Sequence, residues 1–121
     1  MTLAQTPQQL HELFLEGVNN SDVDALLDLY EVDSLTVNLD GSRVHGEAAL
    51  RTMLTEFVTA VDKLEGGTRK VVAHGDIALM SATFSGNGGA VAGITGEIAR
   101  RQPDGGWRFL IDDPTFGVVS S

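Results

Sequence analysis

Between Asn19 and Met53 the chain runs through a short amphipathic helix, a hairpin turned at Asp40-Gly41 and a further helix opened by Gly46. Beyond Gly66-Gly67 everything reads as strand. Helices placed ahead of an uninterrupted meander exclude the alternating order of a parallel α/β sheet, because no helix separates the later strands. What remains is an α+β domain in which a small antiparallel sheet wraps around a pocket, with helices across its mouth.

The local signals fill in that outline. Thr6-Pro7-Gln8-Gln9 starts a first helix, with Thr6 as N-cap, Pro7 at the first helical position and Gln9 closing a capping box. Leu10, Leu13, Phe14, Gly17 and Val18 follow on one apolar stripe. Asn19-Asn20 ends it, and Ser21 is expected to cap a second helix that buries Val23, Leu26, Leu27 and Tyr30. Leu35 to Leu39 alternates as a strand and turns at Asp40-Gly41 into Ser42 to His45. The third helix keeps Leu50, Met53, Leu54, Phe57, Val58 and Val61 in helical spacing, and Gly66-Gly67 is expected to stop it from continuing. Strands are predicted over 68–74, 76–85, 93–101 and 107–112, with Pro114 ending the last. With no repeat, linker or change of composition, residues 1–121 are expected to form one domain.

Charge and composition remove several classes of function. Eight basic against seventeen acidic residues give a net charge of -9, which repels phosphate backbones, and no basic run offsets it. Nucleic acid is therefore not an expected partner. The absence of cysteine removes disulfides, thiolate nucleophiles and Cys-based zinc sites. No apolar run has spanning length and Met1 to Gln5 does not resemble a secretion signal, so no membrane association and a cytoplasmic location are expected. His11, His45 and His74 lack metal-ligand spacing, and Gly86-Asn87-Gly88 does not complete a dinucleotide fingerprint, so neither metal nor cofactor is expected.

Taken in order, several short pieces resemble one known family. They are Asn19-Asn20-Ser21-Asp22-Val23-Asp24, Tyr30 ahead of an acidic loop, and Leu39-Asp40-Gly41 followed by Gly46-x-x-Ala49-Leu50. Gly75-Asp76-Ile77-Ala78 and Asp104-Gly105-Gly106-Trp107-Arg108 complete the set. Over roughly residues 7–113 the chain resembles the nuclear transport factor 2-like superfamily, in its SnoaL-like and ketosteroid-isomerase-like branch. The resemblance implies a cone-shaped half-barrel. Its strongly curved antiparallel sheet, mixed at most at one edge, would be covered by three N-terminal helices around one deep apolar pocket. It also implies a homodimer formed through the sheet, and activities that include isomerisation, polyketide ring closure, dehydration and epoxide hydrolysis.

Residue by residue, the resemblance carries over only in part. The position of the isomerase phenol falls on Phe14, which cannot donate a hydrogen bond, and that of the carboxylate base falls on Asn38, whose amide is no base near neutral pH. Both replacements argue against isomerase chemistry of that type, although Asn38 remains a candidate polar group in the pocket. In cyclase and hydrolase relatives an acidic residue inside the cone handles the proton. A regular last strand puts Trp107, Phe109 and Ile111 on one face with Asp113, whereas a bulge brings in Asp112 instead. Asp112 and Asp113 are thus catalytic candidates, and His45, at a strand end next to Gly46 close to where such a cone opens, is a third. Asn38, Phe14, Tyr30, Met53, Phe57, Met80, Phe84, Trp107 and Phe109 are the candidates for contacting a small hydrophobic molecule. Glu97 and Arg101 share a strand face and are expected to form an exposed pair. The expected function is acid/base chemistry of cyclase, isomerase-like or hydrolase type on a hydrophobic or polycyclic substrate. The alternative is a non-catalytic dimeric module that binds or scaffolds.

Overall fold

A computed structural model describes residues 3–117. Helix α1 (Pro7–Asn19) begins at Thr6, whose hydroxyl accepts the Gln9 N–H at 3.3 Å. Its far end is fixed by Asn19, whose amide brackets Leu64: Nδ2 donates to the Leu64 carbonyl at 2.9 Å and Oδ1 accepts the Leu64 N–H at 2.7 Å. Helix α2 (Val23–Leu27) packs close to α1 at Gly17, where a Cβ would stand 2.7 Å from Leu26 Cδ2. Its cap is Asp22, which accepts the Ala25 N–H, and not the expected Ser21, which takes a positive φ of 51° in the tight link from α1.

Strand β1 (Tyr30–Val37) starts earlier than its alternating pattern indicates, and Tyr30 opens it instead of closing α2. The polar Glu31-Val32-Asp33-Ser34 has little strand character, but the neighbouring backbone recruits it: the Phe109 N–H donates to the Leu29 carbonyl at 2.7 Å. Strand β2 (Arg43–His45) returns from β1 through a turn in which Asp40 Oδ1 accepts the Ser42 N–H at 2.9 Å, and Gly41 supplies the φ of 88°. Helix α3 (Glu47–Ala60) follows Gly46 and buries Leu50 and Leu54.

Strands β3 (Leu64–His74) and β4 (Ile77–Gly86) form the longest hairpin. Gly66-Gly67, expected as a helix stop, lies inside β3. A Cβ on Gly66 would come within 2.0 Å of the Thr83 carbonyl, so glycine is there for close approach of the strands. The predicted strand over 93–101 is two: β5 (Val91–Ile94) and β6 (Gly96–Arg101) both pair with β4. The break falls at Thr95, whose hydroxyl accepts the Ala82 N–H at 2.8 Å. Strand β7 (Trp107–Asp113) ends the fold.

The sheet runs β2-β1-β7-β6-β4-β3, with β5 beside β4. Among the described residues every pairing is antiparallel except β1 with β7, so the curved, unclosed sheet is mixed. Leu10, Leu26, Leu54 and Met80 are fully buried between the helices and the sheet. Among the described residues no helix is long and apolar enough to cross a membrane.

Candidate functional site

Because the helices do not fill the curve of the sheet, a cavity of about 450 Å³ remains between them. Phe14 and Leu15 of α1, Met53 and Phe57 of α3, and Leu64 and Phe84 of the sheet make its sides apolar. Its rim is formed by exposed residues, Leu39 and Asp40 after β1 and Glu56 on α3. At the buried end the sheet contributes polar side chains instead, from β1, β6 and β7.

A single extra residue in β7 decides which of them face inward. Across β6 and β7, Ile98 pairs with Ile111 but Ala99 pairs with Phe109, so Leu110 is left over as a bulge. Trp107 and Phe109 are buried before it, Ile111 turns outward after it, and Asp112 comes in to line the cavity. Ile111 is accordingly not on the aromatic face where a regular strand would hold it. Asp113 points away and accepts the Thr115 N–H at 3.1 Å.

Asp112 Oδ2 accepts a hydrogen bond of 2.7 Å from the Tyr30 hydroxyl. Directly across the ladder stands Glu97, whose Oε1 accepts from His11 Nε2 at 2.8 Å. The other ring nitrogen, Nδ1, lies 2.7 Å from Thr68 Oγ1. Because a carboxylate only accepts, the Nε2 proton is assigned by its partner. Burial, reinforced by the negative charge of Glu97, pushes Asp112 up to about 7, while the Tyr30 bond and His11 pull the other way. Burial first, and then Asp112, raise the Tyr30 phenol well above its ordinary value, so it stays a proton donor to the carboxylate.

Of the residues singled out in the sequence, Phe14, Tyr30, Asn38, Met53, Phe57, Phe84, Phe109 and Asp112 all border the cavity. Asn38 does so from the mouth side, with its Nδ2 donating to Ser42 Oγ at 3.0 Å. Others lie elsewhere. His45 is exposed on β2, Met80 is closed within the core, and Trp107 packs below the cavity with the Arg101 guanidinium 5.6 Å from its ring. The expected exposed pair of Glu97 with Arg101 is not formed: Glu97 is buried on His11, and Arg101 bonds Asp76.

His11, Glu97, Thr36 and Thr95 are cavity residues that the sequence reading did not select. For His11 a signal existed, since His11, Phe14, Leu15 and Val18 repeat at helical spacing. For Glu97 it was faint, because its inward neighbours Thr95 and Ala99 are less apolar than the outward Ile98. Among the described residues no three His, Asp or Glu side chains are placed to hold a metal ion.

A helix-covered, curved mixed sheet enclosing an apolar cavity with a carboxyl-rich end defines the class: a cone-shaped α+β domain of the nuclear transport factor 2-like kind. Residues 11–113 match the SnoaL-like domain, and the chain belongs to that family. No curated protein matches the sequence. Among solved structures, the fold is similar to a protein of Thiobacillus denitrificans provisionally named a calcium/calmodulin-dependent protein kinase type II association domain. Its TM-score is 0.79 at 15% identity, over 94% of this chain and 98% of that one. It is also similar to a provisionally assigned dehydratase of the NTF2-like family from Streptomyces avermitilis, with TM-score 0.71 and 18% identity over 90% and 93% of the two chains. A ketosteroid isomerase-like protein from Erwinia carotovora atroseptica gives TM-score 0.68 and 16% identity, over 87% and 88%. At these identities the likeness is one of fold.

Proposed function

We propose that this protein is an acid/base catalyst for a hydrophobic, polycyclic-sized small molecule, with Asp112 as the group that moves the proton. The observation that carries this reading is the position of Asp112. It is a carboxyl that titrates near 7, set at the polar end of an otherwise apolar cavity and held by Tyr30. A general base or acid works best with a pKa near the operating pH. A cavity of about 450 Å³ falls in the range of small-molecule sites. In such a reaction the Asp112 carboxylate takes a proton from a carbon next to a carbonyl. The C–H electron pair moves toward the carbonyl oxygen, and the carboxyl returns the proton elsewhere on the same molecule. Cyclisation, double-bond migration and elimination of water all share that first step.

Glu97 and His11, which line the same end of the cavity, support this arrangement. The negative Glu97 raises Asp112, and its own burial is offset by His11. Phe14 and Asn38, in the positions of the isomerase phenol and base, argue that the reaction is not the steroid isomerisation of the family's best-known branch.

The test is a panel of polyketide-like and cyclic ketone ligands, read first by thermal shift and then by turnover with native protein and Asp112→Asn. Ligands that stabilise the native protein and are turned over only when Asp112 is present support the reading. If no ligand shifts the melting temperature and none is turned over, the reading is wrong. A second reading, a non-catalytic dimeric binding or scaffolding module, is favoured by the apolar outer face of the sheet and by the likeness to an association domain. Ligand binding that Asp112→Asn leaves intact, with no turnover by either protein, would select it.

A further inference from the structure

The cavity end holds a row of three polar side chains on adjacent strands. Thr36 of β1 is the register partner of Asp112 on β7, and Asp112 is that of Glu97 on β6. Two of the three are satisfied within the protein, Asp112 by Tyr30 and Glu97 by His11. Thr36 is not. It is 2% exposed, it borders the cavity, and its Oγ1 has no hydrogen-bond partner among the described residues. A buried hydroxyl left without a partner is destabilising. Valine has the same shape and suits a strand equally well, so packing alone gives no reason for threonine here.

We propose that Thr36 is a ligand-binding residue. Its hydroxyl is completed by an oxygen of the bound molecule, which is therefore a largely apolar compound, not an anion, carrying a hydroxyl or carbonyl oxygen at its buried end. The inference rests on the reading of the cavity as a small-molecule site. Its neighbours fix the charge of the ligand. An anionic group beside Thr36 would face the Asp112 and Glu97 carboxyls in a water-poor end, and His11, the basic side chain of the lining, is already engaged through both ring nitrogens. Such an anion would also surrender its water to the apolar walls formed by Phe14, Met53 and Phe57 without compensation. A hydroxyl or carbonyl accepts from Thr36 at much smaller desolvation cost. Because Asp112 is the adjacent side chain in the row, the same oxygen is brought next to the group that moves the proton.

Three probes of one shape separate the possibilities: naphthalene, 2-naphthol and 2-naphthoate, titrated calorimetrically against native protein, Thr36→Val and Thr36→Ser. Thr36→Val is expected to weaken 2-naphthol by about three- to tenfold while leaving naphthalene unchanged. Thr36→Ser keeps native affinity for 2-naphthol, and 2-naphthoate binds native protein at least about tenfold more weakly than 2-naphthol. Without ligand, Thr36→Val melts no lower than native protein, since it removes a hydroxyl that has no partner among the described residues. Equal binding of 2-naphthol by native protein and Thr36→Val overturns the assignment. So does an equal loss for naphthalene, which would make the effect one of packing, or a lower melting temperature of unliganded Thr36→Val. If 2-naphthoate binds as well as 2-naphthol, the inferred ligand class is wrong. If native protein binds neither naphthalene nor 2-naphthol, it is the underlying reading of the cavity as a ligand site that fails.

Discussion

The Tyr30 hydroxyl reaches along the parallel strand pair β1 and β7 to Asp112 Oδ2, 2.7 Å away, joining the first residue of β1 to the far end of β7. The ring that makes this reach is held against Phe109, its register partner, with centroids 5.3 Å apart. One phenol therefore orients the carboxyl that the cavity presents to a ligand and also tunes it.

Removing that hydroxyl should move the titration of Asp112 upward. The bond from Tyr30 stabilises the charged carboxylate and so lowers the pKa, against the upward push of burial and Glu97. Tyr30→Phe is expected to leave Asp112 titrating above its native value of about 7. The acid limb of any kcat/KM profile that depends on ionised Asp112 should shift to higher pH with it. Carbon-13 NMR titration of the aspartate carboxyls reads the shift directly, and an unmoved Asp112 would show that the bond does not hold in solution.

The same carboxyl links stability to pH. Folding raises Asp112 from 3.8 to about 7, so the folded protein favours the protonated form. Its stabilising contribution is full below pH of about 4 and is lost as pH rises through about 7, on the order of 4 kcal/mol in total. Glu31, held below its ordinary value by the hydrogen bonds from Arg100, acts in the opposite sense. The measurement is therefore the difference between native protein and Asp112→Asn in urea unfolding at several pH values. Relative to native protein the variant should gain stability as pH rises across that window, and a flat difference would contradict the raised pKa.

How far these features could be read in the sequence depends on how local their causes are. Thr6, Pro7, Asp40-Gly41 and Gly46 act within a few residues of themselves, and the turn and helix starts they signal are where they were expected. The start of β1 is not legible locally, because Glu31 to Ser34 gains its strand conformation from β7, some eighty residues away in sequence. Asp112 and Asp113 could not be distinguished, since the bulge at Leu110 carries no glycine or proline to announce it. His11 was legible on the apolar stripe of α1, but a histidine there gives no hint of Glu97, which only the folded sheet brings beneath it.

The His11–Glu97 contact should be among the most sensitive in the core. Both side chains are nearly closed off from solvent, so removing the imidazole leaves a carboxyl without its partner in the interior. His11→Phe is expected to lower stability by about 3–5 kcal/mol at neutral pH. Adding Glu97→Leu to the same chain should recover most of that loss, because the buried charge is then gone as well. Urea unfolding of the two single variants and the double variant tests this. A double variant no more stable than His11→Phe would mean that packing around the ring, and not the charge of Glu97, sets the cost.

On the outer face of the sheet Val72, Leu79, Ile98 and Ile111 are successive register partners across β3, β4, β6 and β7, forming an unbroken apolar row. Leu79, near its centre, is 57% exposed, and Ile77 on the same strand is exposed as well. Such a row presented to water is the kind of surface that a second copy of the sheet would cover. Sedimentation is expected to show a homodimer at micromolar concentration. Leu79→Lys, which places a charge in the middle of the row while touching neither the cavity nor the core, should shift the protein to monomer without weakening any ligand bound in the cavity. A native protein that sediments as a monomer would overturn the expectation, and a Leu79→Lys protein that remains dimeric would move the interface off this face.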